Sequence, residues 1–341
     1  MMQSLQIKNK TTVYFDSINN VSKIRDFSIN KTVLFASKGV MELCNKLISI
    51  LEGLGADLYV YFSDDGEENK TLEKALLFTQ FLSYNDIGRN DVIINLGGGT
   101  LCDLGAFVAS VYMRGIDYIN IPTTLLCAVD ACVGGKTAIN AIGGKNLWGS
   151  FYPPKSVLID CEFIKTISNE LISEGMSEIV KYAILDGEFA KFLHQFDSAI
   201  AVKDALNEVI YRSVKIKARF VELDEFDKKE RKLLNLGHTV AHAFEKYSKY
   251  EIDHSLAVAF GLFYETKISF NAGYISAERR DEILTLFSKF FNFKIPALND
   301  EIINLMSKDK KNYQDKLVFS LPMESGAAVK AFTRDQLIKL L

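Results

Sequence analysis

The chain changes its pattern once, near residue 163, and that change constrains its fold more than any other feature. Before it, six short runs rich in β-branched and aromatic residues alternate with helical segments: TTVYF (11–15), TVLFA (32–36), DLYVYF (57–62), DVIINL (91–96), DYINI (117–121) and SVLID (156–160). Between them, VMELCNKLISILEGLG and TLEKALLFTQFLSYN carry apolar residues at helical spacing. Strand–helix–strand alternation predicts a mostly parallel sheet with helices on its faces. After the change, segments 168–194, 197–223, 230–248, 255–273, 277–293 and 297–307 all repeat with helical period. Only KLVFSL (316–321) reads as a strand there. Pro153 and Pro154 precede the last strand of the first half, which sets the boundary just past that strand. The expectation is an α/β domain over 1–162 and an all-α domain over 163–341, with the cleft between them as the default site.

Length and charge narrow the function. A chain of 341 residues exceeds what one hydrophobic core usually serves. Its 48% hydrophobic and 24% charged residues exclude a disordered chain, a collagen-like repeat and a coiled coil. A net charge of −3 points to no nucleic-acid or acidic-membrane partner. No window of 18 apolar residues exists to cross a bilayer, and MMQSLQIKNK lacks the apolar stretch of a signal peptide. Cys44, Cys102, Cys127, Cys132 and Cys161 form an odd set without a CxxC pair, so reduced thiols in a cytoplasmic protein are expected.

Three stretches carry polar chemistry. In NLGGGTLCDLGAF (95–107), Gly97, Gly98 and Gly99 follow a strand and open a helix. Backbone amides there can approach a pyrophosphate, whose charge the helix N-terminus favours. The pattern is GGGxxxD and not GxGxxG, and no acidic residue stands at the usual ribose spacing. A plain tight turn is the alternative reading.

Histidine is more informative because the chain has only four, and His238, His242 and His254 fall within 17 residues. On a helix over 230–248, Arg231, Asn235, His238, His242 and Glu245 would span roughly 80°. Such a face is not a core stripe, and a merely solvated face seldom uses histidine twice. Spacing of i,i+4 would pair His238 with His242 on a borderline ion such as zinc. His194 has no partner and reads as filler. The third stretch, RGIDYINIPTTLLCAVDACVGGKTAINAIGGKN (114–146), sets Arg114, Asp130, Lys136, Lys145 and Asn146 in a glycine-rich segment. Lysine on a glycine turn receives phosphate or carboxylate, and two GGK triplets disfavour an ordinary solvent loop.

Taken together, these residues resemble the 3-dehydroquinate synthase family, sugar-phosphate cyclases of the shikimate pathway. GGGTLCD, YMRG, IPTTLLCAVD, VGGKTAIN, GKN, FYPPK, SEIVKYAIL, RKLLNLGHTVAHAFE, HSLAVAFG and SKDKK occur in family order across nearly the whole chain. The resemblance implies an NAD-binding α/β domain (1–162) and a helical metal- and substrate-binding domain (163–341). It places the metal ligands on Glu178, His238 and His254, and gives His242 to the substrate. Glu178 precedes Lys181 by three residues, so both share a helical face. The implied polar shell is Asp130, Lys136, Asn146, Lys181, Lys217, Arg231, Asn235, His242 and Lys310, with Arg114 supplied across a dimer interface. Cofactor positions fall on Glu67, Lys70, Gly97, Gly98, Gly99, Asp103, Thr123, Thr124, Asp130, Lys136, Lys145 and Asn146.

The resemblance further implies NAD+ and Zn2+ as cofactors, with cobalt or iron also suited to two histidines and a carboxylate. The family substrate, 3-deoxy-D-arabino-heptulosonate 7-phosphate, carries a phosphate and a carboxylate, which such a cation-rich shell would fit. The implied sequence is oxidation, phosphate elimination, reduction and aldol ring closure, with the cofactor recycled. Departures stand out at seven positions. Ser37 and Gly39 occupy the positions of an Asp and an Asn that meet the cofactor's adenosine part. Cys102 stands where GGGxxGD has its second-block glycine. Ala241 replaces the second glycine of GHTxGH and Asp227 a glutamate. Ser255–Leu256 replace the GE after the last histidine ligand. The alternatives weighed are a sister cyclase for a carboxylate-free sugar phosphate, a metal-dependent polyol dehydrogenase, and a non-enzymatic binding homologue.

Overall fold

A computed structural model describes residues 3–8, 10–24, 26, 31–307 and 316–341. Lys310 lies outside the described residues. The chain divides into two compact units: Met1–Ser168 with Leu206–Ala218, and Asn169–Ala205 with Arg219–Leu341. The single boundary expected after residue 162 thus stands beside a break at Ser168, and the stretch Leu206–Ala218 returns to the first unit.

In the first unit, β1 (Gln3–Ile7), β2 (Thr11–Phe15), β3 (Lys31–Ser37), α1 (Met41–Gly53), β4 (Asp57–Ser63), α2 (Leu72–Tyr84), β5 (Val92–Gly97), α3 (Gly99–Val111), β6 (Asp117–Pro122), the hairpin β7 (Lys136–Ala141) and β8 (Gly144–Phe151), β9 (Ser156–Ile159) and the short α4 (Cys161–Ile164) follow in order. Seven strands form one sheet in the order β1-β2-β9-β6-β5-β3-β4. All neighbours run parallel except β1 with β2. Strands covered on both faces are mainly apolar, and β5 is buried over its whole length, with Asn95 donating to the Asn120 carboxamide of β6. Successive residues of β3 point to opposite faces. Leu34 and Ala36 pack with Leu43, Cys44, Leu47 and Leu51 of α1. Val33 and Phe35 pack with Phe78 of α2 and with Leu101 and Leu104 of α3.

Helix α1 therefore covers one face, while α2 and α3 cover the other. The run β4-β3-β5-β6-β9 reverses direction between β3 and β5, and in doubly wound sheets the ligand crevice opens at the carboxyl ends of such a pair. The glycine-rich segment makes the β7–β8 hairpin, preceded by a π-turn at Cys127–Ala131. All five cysteines are free and buried.

The second unit holds α5 (Asn169–Leu185), α6 (Gly187–Leu193), α7 (Leu206–Leu223, whose first part belongs to the first unit), α8 (His238–Tyr247), α9 (His254–Asn271), α10 (Ala277–Phe290), α11 (Asp300–Ser307), β10 (Leu317–Pro322), β11 (Ala327–Phe332) and α12 (Arg334–Leu340). It is helical apart from the antiparallel β10–β11 hairpin. The helix expected over 168–194 is cut at Asp186, whose carboxylate caps α6 by accepting from the Phe189 amide.

One expectation is corrected. The continuous helix drawn over 230–248 is broken, because Glu230–Asn235 is a 3-10 turn and α8 starts only at His238. Gly237 sits between them at φ +84, a left-handed angle that a side chain disfavours. A Cβ there would come within 3.0 Å of Leu262 on α9, and Gly261 of α9 faces the Gly237 carbonyl with no side chain in between. Two glycines thus bring the N-terminus of α8 onto α9. Arg231 and Asn235 consequently do not continue the histidine face of α8.

Candidate functional site

In the second unit, His238 is the first residue of α8 and His254 the first of α9. Asp253 caps α9 by accepting from the Ser255 amide at 2.7 Å. Glu178 lies mid-way along α5 and is 1% exposed. Among the described residues, Glu178, His238 and His254 form the group that can hold a metal, each offering a ligand atom within 4.8 Å of the others.

The donor chemistry fits a divalent ion. His238 Nδ1 lies 3.0 Å from the Leu236 carbonyl, so Nδ1 bears the proton and Nε2 keeps its lone pair. That Nε2 stands 3.6 Å from Glu178 Oε1. His254 Nδ1 is bound in the same way to the buried carboxylate of Glu245, at 3.2 Å. Burial pushes the His254 imidazole pKa down, but Glu245 first, then Glu178 and Asp253, outweigh it and leave it raised. Two imidazoles fixed from behind and one carboxylate leave coordination positions open, as catalytic zinc sites do.

Around this group, Lys181 forms an ion pair with the second oxygen of Glu178, one turn earlier on α5. Both side chains are 2% exposed, so each offsets the other's burial. The His242 ring packs edge-on against His238, with centroids 5.8 Å apart, and the His254 ring does so at 5.5 Å. Arg231 is buried, its Nη1 donating to the Glu225 carbonyl at 2.7 Å and its amide to Asp224. Asn235 ends the 3-10 turn and is partly buried.

In the first unit, Gly97, Gly98 and Gly99 lie at the β5–α3 junction, and none has a positive φ. Closeness and not backbone angle requires them. A Cβ on Gly99 would sit 3.2 Å from Ala131, and one on Gly98 3.4 Å from Thr124. Thr123 donates its amide to the Gly97 carbonyl at 3.0 Å. Buried Lys70 reaches Asp103 and Asn146 at 2.5 Å each. Burial raises the Asp103 pKa, and Lys70 partly offsets it. Asn146, at φ +55, donates its amide to the Asn140 carboxamide. Asn140 donates in turn to Glu67, which also accepts from Thr100. Lys217 of α7 binds the Asp130 carboxylate at 2.8 Å and its carbonyl at 2.5 Å, steadying the π-turn. Lys136 is exposed and Lys145 half-buried on the hairpin. Arg114 is exposed in a turn with positive φ at Met113, Arg114 and Gly115.

Two residues escaped the sequence reading as site members. Asn140 closes the Glu67–Lys70–Asn146 network, and its signal was its place at the end of VGGKTAIN. Glu245 stood in the polar stripe, but nothing in spacing showed that it would back His254.

Sheet, helical unit and ligand group together match the fold of solved sugar-phosphate cyclases. A 2-deoxy-scyllo-inosose synthase complexed with carbaglucose-6-phosphate, NAD+ and Co2+ superposes with a TM-score of 0.89 at 22% identity, covering 100% of this chain and 99% of that one. A 2-epi-5-epi-valiolone synthase from Streptomyces hygroscopicus subsp. jinggangensis, with NAD+ and Zn2+ bound, gives 0.81 at 20% identity, covering 100% and 97%. Sequence goes further than shape. The 3-dehydroquinate synthase N-terminal profile matches residues 60–174 and the C-terminal profile residues 175–312. The 3-dehydroquinate synthase of Pyrococcus abyssi is 40% identical over 280 residues, 82% of this chain and 83% of that protein. The Clostridium botulinum enzyme is 41% identical over 293 residues, covering 84% and 83%. A bifunctional 3-dehydroquinate synthase/phosphatase of Fusobacterium nucleatum is 36% identical over 96% of this chain, which spans only 51% of that longer protein. The chain belongs to the 3-dehydroquinate synthase family, enzymes of the sugar-phosphate cyclase type that eliminate phosphate.

Proposed function

We propose that this chain converts 3-deoxy-D-arabino-heptulosonate 7-phosphate to 3-dehydroquinate and inorganic phosphate, a step of the shikimate pathway. The observation that carries the reading is the convergence of Glu178, His238 and His254 with both Nδ1 atoms already bonded behind them. When bound, NAD+ supplies reversible oxidation of one substrate carbon, and Zn2+ or Co2+ supplies Lewis-acid polarisation of its hydroxyl. Glu178, His238 and His254 would hold the ion, and Glu245 would fix the orientation of His254. Lys181 would hold its ion pair with Glu178 beside the ion and lend a proton donor to the substrate's hydroxyls.

On the first unit, the α3 N-terminus with Gly97, Gly98 and Gly99 would receive the pyrophosphate of the cofactor, with Thr123, Thr124, Lys145 and Asp103 beside it. Glu67, Lys70 and Asn146 would fix the loops around it. By the family resemblance, Asp130, Lys136, Lys217, Asn235, His242 and Lys310 are the residues assigned to the substrate. Arg231 would receive the carboxylate through its planar guanidinium. The reading also includes a homodimer to which Arg114 contributes, with the cytoplasm as its compartment.

The test is phosphate release. Protein supplied with the heptulosonate phosphate, NAD+ and Zn2+ should liberate inorganic phosphate without net NADH absorbance. Phosphate from glucose 6-phosphate or sedoheptulose 7-phosphate instead would move the chain to a sister cyclase, and stoichiometric NADH from a polyol would make it a dehydrogenase.

A further inference from the structure

The two histidines of the metal group are braced from behind in different ways. His254 Nδ1 meets the buried carboxylate of Glu245 directly, whereas His238 Nδ1 meets a main-chain carbonyl, that of Leu236. A carbonyl is a weaker acceptor than a carboxylate, and it holds a ring only as firmly as its own peptide is held. The N–H of that same peptide belongs to Gly237, and it donates to Glu265 Oε2 at 2.5 Å. Glu265, the Leu236–Gly237 peptide and His238 therefore stand in one line of hydrogen bonds. It runs from the carboxyl oxygen through the amide N–H, the carbonyl and the imidazole Nδ1–H, and His238 Nε2 leaves the far side of the ring toward Glu178. Hydrogen bonds in such a chain polarise one another, so a carboxyl group at one end strengthens the acceptor that His238 meets.

Helix α9 is shaped to deliver this contact. Glu265 is fully buried and lies one turn after Gly261, so the two share a face of α9. Gly261 leaves room for the Gly237 carbonyl, which a Cβ at 261 would overlap, while Glu265 takes the Gly237 amide. Gly237 is the N-cap of α8 and has no side chain with which to cap it. In a capping box, a Glu or Gln three residues into the helix reaches back to the N-cap amide. Here that position is Val240, and a carboxyl group from the neighbouring helix makes the bond instead. Burying a carboxyl group is costly, which marks residue 265 for a role that an apolar side chain could not fill.

We propose that Glu265 is a positioning residue for the metal group: through the Leu236–Gly237 peptide it fixes the orientation of His238, as Glu245 fixes His254 by direct contact. This rests on the reading that Glu178, His238 and His254 hold a divalent ion. Two variants of the full chain separate this role from a need for buried charge, with zinc affinity read by competition against a chelator. Glu265→Asp keeps the acid but draws it back by one methylene from the amide, and zinc affinity should fall about 10- to 100-fold, as for other outer-shell partners. Glu265→Gln keeps an acceptor oxygen at full reach and should recover most of that loss. The reverse order would show that charge and not reach matters, and undiminished zinc affinity in Glu265→Asp would equally overturn the proposal. A second measurement needs no substitution. Nitrogen-15 spectra of the zinc-loaded chain, labelled at histidine, should show His238 bound through Nε2 with a proton on Nδ1. Zinc on Nδ1 of His238 would break the line of hydrogen bonds and overturn the assignment. No zinc binding by the unaltered chain would overturn the metal reading itself, a distinct result.

Discussion

The metal group of the second unit and the glycine–lysine network of the first are both polar, but they are built in opposite ways. In the second unit, three ligands are set by helix placement: two helices begin at a histidine, and Gly237 and Gly261 let α8 settle on α9. Each histidine then needs one partner behind it. In the first unit, position comes from a relay of residues on turns: Thr100 with Glu67, Glu67 with Asn140, Asn140 with Asn146, Asn146 with Lys70, and Lys70 with Asp103. Helix placement concentrates function in single atoms, whereas a relay spreads it over many. Substitutions in the two regions should therefore fail differently.

The largest effect is expected for His238→Ala, which removes a ligand and its ring contacts with His242 and His254 but leaves the Gly237–Gly261 approach of α8 to α9 in place. Metal affinity should fall beyond the roughly 100-fold upper end for outer-shell changes, with turnover lost and the unfolding temperature of the metal-free protein retained. Atomic absorption and calorimetry check it. Glu245→Gln comes next. It leaves all three ligands but weakens the brace on His254, so metal affinity should drop by about 10- to 100-fold. If it instead behaves like the unaltered protein, His254 is positioned by its helix alone.

Lys70→Met probes the relay. It leaves Asp103 and Asn146 without their shared donor, and unfolding free energy should fall by about 1–3 kcal/mol, read from the urea midpoint. Zinc affinity should not move. A shift in zinc affinity would mean that the two regions are energetically coupled. The smallest effect is expected for Gly237→Ala, where a left-handed φ and contact with Leu262 should cost roughly 1–2 kcal/mol. Because it lies one residue before His238, it should also lower zinc affinity, tying packing to ligand placement.

The same contrast explains what could be read from the sequence. The sheet's central strands were legible because burial on both faces makes them mostly apolar runs, with Asn95 and Asn120 set into β5 and β6. The edge strand QSLQI of β1 carries no such run, and the β7–β8 hairpin is hidden by glycines and polar residues that resemble a loop. In β11, AAVKAF is too mixed to stand out. Histidine's scarcity marked the neighbourhood of the metal group, but spacing paired His238 with His242, since no local pattern reveals that α9 brings His254 to within reach. Glu178 sits mid-helix in SEIVKYAIL, where composition does not distinguish it from any surface glutamate. Only resemblance pointed to it.

The central claim is that one divalent ion is held by Glu178, His238 and His254. Anomalous diffraction at the zinc edge, on crystals of the zinc-loaded protein, tests it most directly. The account predicts a single strong peak at about 2.0–2.2 Å from one nitrogen of each histidine and an oxygen of Glu178. A peak bound by other side chains, or those three side chains turned away from it, would contradict the account.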